Sequence, residues 1–443
     1  MNRSIGLAHA TAMVVGTIIG ASIFVQPTEI SRHVPTLAGT LAVWSLAGLL
    51  TVCGALVCAE LASAMPRTGG VYVFLTESFS PALGFLWGWA MFWSMHSGII
   101  AAISVVFARY LAVFVPMSDT AIRLVAIAGV LTLSAVNYLG VAYGSAVQTV
   151  LTIVKLAAIA VIVVLVALFG TAADAAGGGP EAIAAATTIG PRAFILAMSA
   201  GLFAFGGWHM VTYAAGETRQ PARTIPLALL IGTTIVTLCY VALNAAYLFV
   251  LPIDQVQRSA HVAADAAARV GGAGAAAAIS ALVVVSAFGA ANGIVLAGPR
   301  VYYAMAQDGM MFRWAGAIHP RFQTPHVAIV VQAIWVCALI LGDTYRGMFT
   351  RVIYTEWIFF GLMALGLMRL RRRPAYAPVY RLWGYPIVPI VFIVASTVVV
   401  LTQISTDPMG SATGLLLVAT GLPVYWWWRP TQKGVTGAIH ARD

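Results

Sequence analysis

The chain has 443 residues, 61% of them hydrophobic and 9% charged, with a formal net charge of +10, and its mean hydropathy is +0.92. A soluble domain carries about 25% charged residues, so these figures exclude a soluble globular protein and imply a polytopic membrane protein. The excess of positive charge does not indicate nucleic-acid binding, because the basic residues sit on short loops between apolar runs.

A membrane-crossing helix needs about 20 apolar residues. Runs of this kind fall near 8–32, 38–64, 83–115, 122–141, 146–170, 191–216, 226–250, 274–299, 326–343, 351–369, 385–404 and 411–428. The expected architecture is therefore all-α, with about 12 transmembrane helices in one membrane domain over 1–443. No cleavable signal peptide is expected, since the first apolar run leads into a glycine-broken segment without a small-residue cleavage site. With the N-terminus inside, the inner segments hold fifteen basic residues and the outer segments and outer span ends eight, leaving Lys155 within a span. That bias predicts both termini in the cytoplasm, and the Ala/Gly/Arg-rich composition suggests a bacterial inner (plasma) membrane.

The first span carries Gly16-Thr17-Ile18-Ile19-Gly20-Ala21-Ser22-Ile23-Phe24 in its middle. Glycines permit backbone angles that other residues resist. A break at Ile18–Ser22 leaves one half-helix ending and another starting near Ile23. The starting end offers free N–H groups and a partial positive charge, suited to a carboxylate. The ending half leaves unpaired carbonyls, suited to an ammonium group. His96 lies in the middle of the third span, where a histidine is a packing residue or a substrate or proton site. The outer loop near 116–121 has no cysteine, and Cys53, Cys58, Cys239 and Cys337 all fall within spans without metal-ligand spacing. They read as packing residues, and no disulfide-linked partner subunit is expected.

Lys155, in the fifth span, is the only lysine outside the C-terminal tail. An ionisable group at that depth is a functional hypothesis by default, set against a side chain that snorkels to the inner surface. The outer loop 171–190 is Ala/Gly-rich and reads as a flexible crossing. The sixth span repeats the break of the first, with Gly201-Leu202-Phe203-Ala204-Phe205-Gly206-Gly207-Trp208. One such cluster is explained equally by close helix packing. Two at corresponding positions of two halves point to a transporter's substrate site, here a receptor for a small zwitterion. Spans one to five (8–170) and six to ten (191–369) are then candidate repeats of opposite topology. The helices of 385–428 are appended, and 429–443 is a polar tail.

His209 follows the second break and is a candidate for contact with a substrate side chain; Tyr213 and Asn292 are weaker candidates. Residues 252–273 read as a short amphipathic helix over the outer mouth. Glu356, in the tenth span, lines the outer vestibule, pairs with Arg351 or Arg346, carries a proton, or is a neutral structural residue. Arg369 to Arg373 are expected to stay in water or among headgroups. Trp426-Trp427-Trp428 fits an interfacial anchor. There is no H-E-x-x-H, no G-x-S-x-G elbow and no Walker lysine motif, so neither enzyme chemistry nor ATP-driven transport is expected.

The chain resembles amino-acid permeases of the APC superfamily, in their L-amino-acid-transporter-like branch. The resemblance rests on Gly16-Thr17-Ile18-Ile19-Gly20-x-x-Ile23-Phe24 and on Phe203-Ala204-Phe205-Gly206-Gly207-Trp208. It extends to Glu217 with Arg219, Pro221 and Pro226, to Phe288-Gly289-Ala290-Ala291-Asn292-Gly293, to Ala306-Gln307-Asp308-Gly309 and to His319-Pro320. It implies a five-plus-five inverted repeat with broken first and sixth helices and alternating access. It implies that the substrate carboxylate meets N–H groups near Gly20, Ala21 and Ser22, and that the amine meets carbonyls of Ile18, Phe203 and Gly206. Phe203 is then an aromatic gate, and Lys155 takes the place of a sodium ion. The chain departs from the family pattern at Ala21-Ser22, where a small hydroxyl residue followed by glycine is usual. The expected function is sodium-independent amino-acid transport, by exchange or proton symport, with Lys155 and Glu356 as coupling residues and no cofactor or metal. The rival readings are a polyamine or organic-cation carrier and a membrane-embedded sensor or channel.

Overall fold

The computed structural model describes residues 3, 5–170, 189–259, 261–342 and 345–428, with the side chains of 141–143, 145, 345–353 and 428 excepted. The tail 429–443, most of the loop 171–190 and the side chains of Arg346 and Arg351 therefore lie outside the described residues. Among those described, the chain is all-α. Its only β pairing is an isolated parallel bridge between Ile5 and Thr218. Nine helices are long and apolar enough to cross a membrane, or ten if the bent pair Leu7–Ile18 and Ser22–His33 counts as one span.

The elements in order are α1 (Leu7–Ile18), α2 (Ser22–His33), α3 (Leu37–Ala64), α4 (Val71–Ser78), α5 (Pro81–Ala90) and α6 (His96–Leu111). Next come α7 (Asp119–Leu139), α8 (Val141–Phe169), α9 (Pro191–Ala204), α10 (Pro221–Val250) and α11 (Ile253–Arg258). The chain closes with α12 (Val262–Gln307), α13 (His326–Gly342), α14 (Tyr345–Leu370), α15 (Ile387–Thr406), α16 (Pro408–Ala419) and α17 (Gly421–Trp428). Local chemistry sets several starts. The Thr36 hydroxyl caps α3 by accepting from the Gly39 N–H, and Ser80 caps α5 ahead of Pro81. Such side-chain acceptors satisfy a donor that the first turn leaves free. Proline stands at the first position of α9 and α10, where its missing N–H costs nothing.

The third span is one path of α5, a π-helical turn at Met91–Met95, and α6. This span, the broken sixth element and α12 are mostly buried, whereas α7, α8, α15 and α16 expose most of their apolar surface. The inner bundle is thus formed by segments that are apolar all round, as helices buried in protein are. The outer stretch 252–273 forms two short pieces, α11 and the first turns of α12, which kinks at Gly272 with φ 69°. They contact α2: the Thr28 hydroxyl donates to the Ser259 carbonyl at 3.0 Å, and Arg32 Nε donates to the Gln257 carbonyl at 2.9 Å.

Two ion pairs bear on the sequence reading. Arg371 does not stand free in water: its side chain is 18% exposed. It donates from Nε and Nη2 to the Glu60 carboxylate at 2.8 and 2.5 Å, and its guanidinium lies 4.0 Å from the Tyr385 ring centroid. Glu60 itself is fully buried. Arg300, counted on an inner loop from its place after Pro299, is buried inside α12, with Nη2 3.5 Å from Glu217 Oε2. The eighth span therefore runs on to Gln307. Removing one partner of a buried pair leaves an uncompensated charge, at about 3–5 kcal/mol. Arg300→Ala is expected to lower the thermal unfolding midpoint of the detergent-purified protein. The double variant Arg300→Met/Glu217→Gln is expected to recover most of that loss, and an unchanged midpoint in Arg300→Ala would mean that the pair contributes nothing.

Candidate substrate site

The first break follows from where α1 loses its angles. Ile19 sits at φ −71°, ψ 87°, outside the helical range, and α2 restarts at Ser22. The two half-helices are bent by 44°. Among the described residues, the N–H groups of Gly20, Ala21, Ser22 and Ile23 reach no backbone acceptor. They are the free donors of the α2 start, an arrangement suited to an anionic group.

The carbonyls on the other side of the break are partly used. The Lys155 ammonium donates to the Gly16 and Ile19 carbonyls at 2.8 and 2.7 Å. The Ser286 hydroxyl donates to the Gly20 carbonyl at 3.3 Å. Lys155 is 1% exposed, so it does not snorkel; it crosses from α8 to the end of α1. The Tyr240 hydroxyl, on α10, stands 2.9 Å from the Ile18 carbonyl and 3.0 Å from that of Ala204.

In the second break α9 ends at Ala204, and the Gly206 N–H donates to the Phe203 carbonyl at 2.9 Å. Gly207 turns the chain with φ 98°, and a Cβ there would stand 2.7 Å from Thr17 Cγ2. Both the angle and the contact require glycine. Beyond it the chain continues as a 3₁₀ helix, Trp208–Glu217. The two breaks thus touch each other through Thr17 and Gly207.

They face a common cavity of about 20 Å³, the room of about one water. Its lining includes Ile18, Gly20, Ser22, Phe203, Gly206 and Glu356, all singled out in the sequence. It also includes Thr17, Ile99, Ile103, Leu202, Ala204, Met210, Ile294 and Trp357, which were not. Thr17 and Trp357 were within reach as neighbours of Ile18 and Glu356, whereas the isoleucines look like any core residue. An amino acid is larger than such a cavity, so lining side chains would have to move for one to enter.

Ala21 is buried beside the cavity but does not line it. His209 does not line it either. The turn at Gly207 gives the lining place to Met210, and His209 packs among Trp87, Trp208, Tyr213 and Phe360 with ring centroids 4.8–5.8 Å apart. His96 is buried away from the cavity, 5.8 Å from the Tyr213 ring. Asn292 is a tie between spans: its carbonyl oxygen accepts from Asn137 at 2.8 Å, and its amide donates to the Gly144 carbonyl and to Gln148 Oε1, both at 3.2 Å. Tyr213 donates to Met91 Sδ at 3.7 Å.

Residues 5–427 match the family model described as amino acid permease. The chain is 32% identical over 436 residues to the serine/threonine exchanger SteT of Bacillus subtilis, covering 96% of this chain and 97% of that one. It is 29% identical over 418 residues to the b(0,+)-type amino acid transporter 1 of Mus musculus, covering 92% and 84%. It is 28% identical over 465 residues to the cystine/glutamate transporter of Homo sapiens, covering 99% and 90%. Two helix breaks around one cavity, in a chain matched along nearly its whole length, agree on one conclusion: the protein belongs to the amino acid permease family, among its transporters of the L-amino-acid-transporter-like branch.

Proposed function

We propose that the protein is a sodium-independent amino-acid transporter that works by exchange or proton symport with alternating access. Family membership makes it a multi-pass membrane transporter and not an enzyme. The observation that carries the finer reading is the pair of breaks facing one cavity, with the Lys155 ammonium on the Gly16 and Ile19 carbonyls. A fixed cation on those oxygens supplies the charge that a sodium ion would otherwise bring. The substrate carboxylate meets the N–H groups of Gly20, Ala21 and Ser22, and its amine meets the carbonyls of Ile18, Phe203 and Gly206. Exchange is favoured over other coupling by the similarity to an exchanger.

In this reading 8–170 and 191–369 are the two inverted repeats, 385–428 is appended, and the full count is about twelve spans. The protein sits in the plasma (inner) membrane with both termini in the cytoplasm. Residues 116–121 contain no cysteine, so no partner is tied there by a disulfide. Phe203 and the half-helix 8–18 are the moving gates. The inner latch is the bridge in which the Ile5 N–H donates to the Glu217 carbonyl at 3.0 Å and the Arg219 N–H donates to the Ile5 carbonyl at 2.8 Å. A polyamine carrier needs several carboxylates at its site, and the cavity lining holds Glu356 alone.

Counterflow in proteoliposomes tests the proposal. Saturable uptake of labelled amino acid into vesicles preloaded with unlabelled amino acid is expected, at the same rate when sodium is replaced by choline. A rate that collapses without sodium removes the role given to Lys155. Flux that neither saturates nor needs internal substrate indicates a channel.

A further inference from the structure

Among the described residues, Glu356 is the one charged side chain in the cavity lining, which it shares with Ile103, Ile294, Met210 and Trp357. It is 4% exposed. Its Oε1 is buried with no hydrogen-bond partner. The cations described nearest the core are committed elsewhere: Lys155 to the Gly16 and Ile19 carbonyls, Arg300 to Glu217, Arg371 to Glu60. A carboxyl group taken out of water without a partner is costly. A buried polar group left unsatisfied at a ligand cavity is explained when the ligand brings the partner.

The backbone of the two breaks already provides for both ends of the zwitterion, and the role of Glu356 rests on that assignment. The group left for Glu356 is the substrate's side chain. We propose that Glu356 is the specificity-determining residue and selects amino acids whose side chain donates a hydrogen bond. Such a side chain is a short hydroxyl or a cationic nitrogen. It excludes apolar isosteres and carboxylate side chains, which have no proton to give. The principle is general: a site built to hydrogen-bond a substrate OH or NH rejects the analogue that lacks it far more strongly than an apolar slot discriminates size.

The test is counterflow by the purified full-length protein in proteoliposomes, comparing serine with alanine, threonine with valine, and lysine with glutamate. The wild type is expected to favour the donor of each pair by at least about tenfold in kcat/KM. A serine or threonine preference identifies the hydroxyl as the donor, and a lysine preference identifies the cation; either supports the proposal. Glu356→Leu is expected to bring the serine/alanine and threonine/valine ratios to near one, both in exchange and in the thermal stabilisation that each amino acid gives the purified protein. Glu356→Gln, nearly isosteric and able to accept a hydrogen bond, is expected to keep an intermediate preference, and it guards against a folding defect in the leucine variant. Unchanged ratios in Glu356→Leu overturn the proposal. So does loss of all exchange in both variants while substrate still raises their thermal stability, which would make the carboxyl a coupling group. If the wild type exchanges no amino acid at all, the underlying transport reading fails instead.

Discussion

Replacing Lys155 with alanine is expected to abolish exchange while leaving a folded protein in the membrane. The ammonium holds two carbonyls at the end of α1 from across the bundle, at 2.8 and 2.7 Å. Hydrogen bonds to a charged group contribute about 1.5–3 kcal/mol each. Without them the Gly16 and Ile19 carbonyls are stranded beside an unwound backbone that lipid cannot satisfy. The half-helix that ends at Ile18 then loses its charged tie to α8, and the first break loses its fixed cation. Lys155→Met keeps the volume and removes the charge, and it is expected to fail equally. Lys155→Arg is expected to rescue poorly, because Lys155 Cε packs so closely on Gly289 that a Cβ added there would stand 3.2 Å from it, and a guanidinium is bulkier than an ammonium. Initial counterflow rates report the outcome, with membrane insertion checked by gel filtration in detergent. A wild-type rate in Lys155→Met shows that the side chain only fills space.

Gly20→Leu is expected to remove uptake and substrate binding together. Gly20 lines the cavity, and a Cβ built there would stand 3.1 Å from the Ala290 Cβ. Alanine at this position already demands a small shift of α12. Leucine adds a branched group to a space of about 20 Å³, so it displaces both the neighbouring helix and the substrate. Overpacking of this kind costs about 1–3 kcal/mol of stability, within what a membrane bundle of this size tolerates. The diagnostic result is a folded variant whose unfolding midpoint no longer rises with added amino acid. Normal uptake in Gly20→Leu would remove the first break from the site.

The two breaks were legible because glycine clusters interrupt long apolar runs, and both signals are local in sequence. The same is true of most spans, whose apolar lengths differ from the helices by a few residues. What the sequence did not reveal depends on pairing across the fold. Tyr240 looks like an ordinary span residue until α10 sets its hydroxyl beside Ile18, 222 positions away. Arg300 reads as a loop residue until Glu217, 83 positions distant, makes its burial possible. Arg371 is drawn into an ion pair by Glu60, 311 positions away, in the same way. His209 is adjacent to a motif that does face the cavity, but a single left-handed residue, Gly207, sends its side chain into an aromatic cluster instead. Backbone handedness at one position is not readable from apolar periodicity.

The Tyr240 hydroxyl stands at bonding distance from a carbonyl of each break. A phenol has one proton to give. It therefore serves the Ile18 carbonyl or the Ala204 carbonyl fully, never both, and whichever it leaves is one partner short. In the proposed binding mode the substrate's ammonium takes the Ile18 carbonyl, which leaves the phenol to Ala204. A single O–H bond thus joins the two halves of the molecule, and whatever changes the demand of one carbonyl changes what is left for the other.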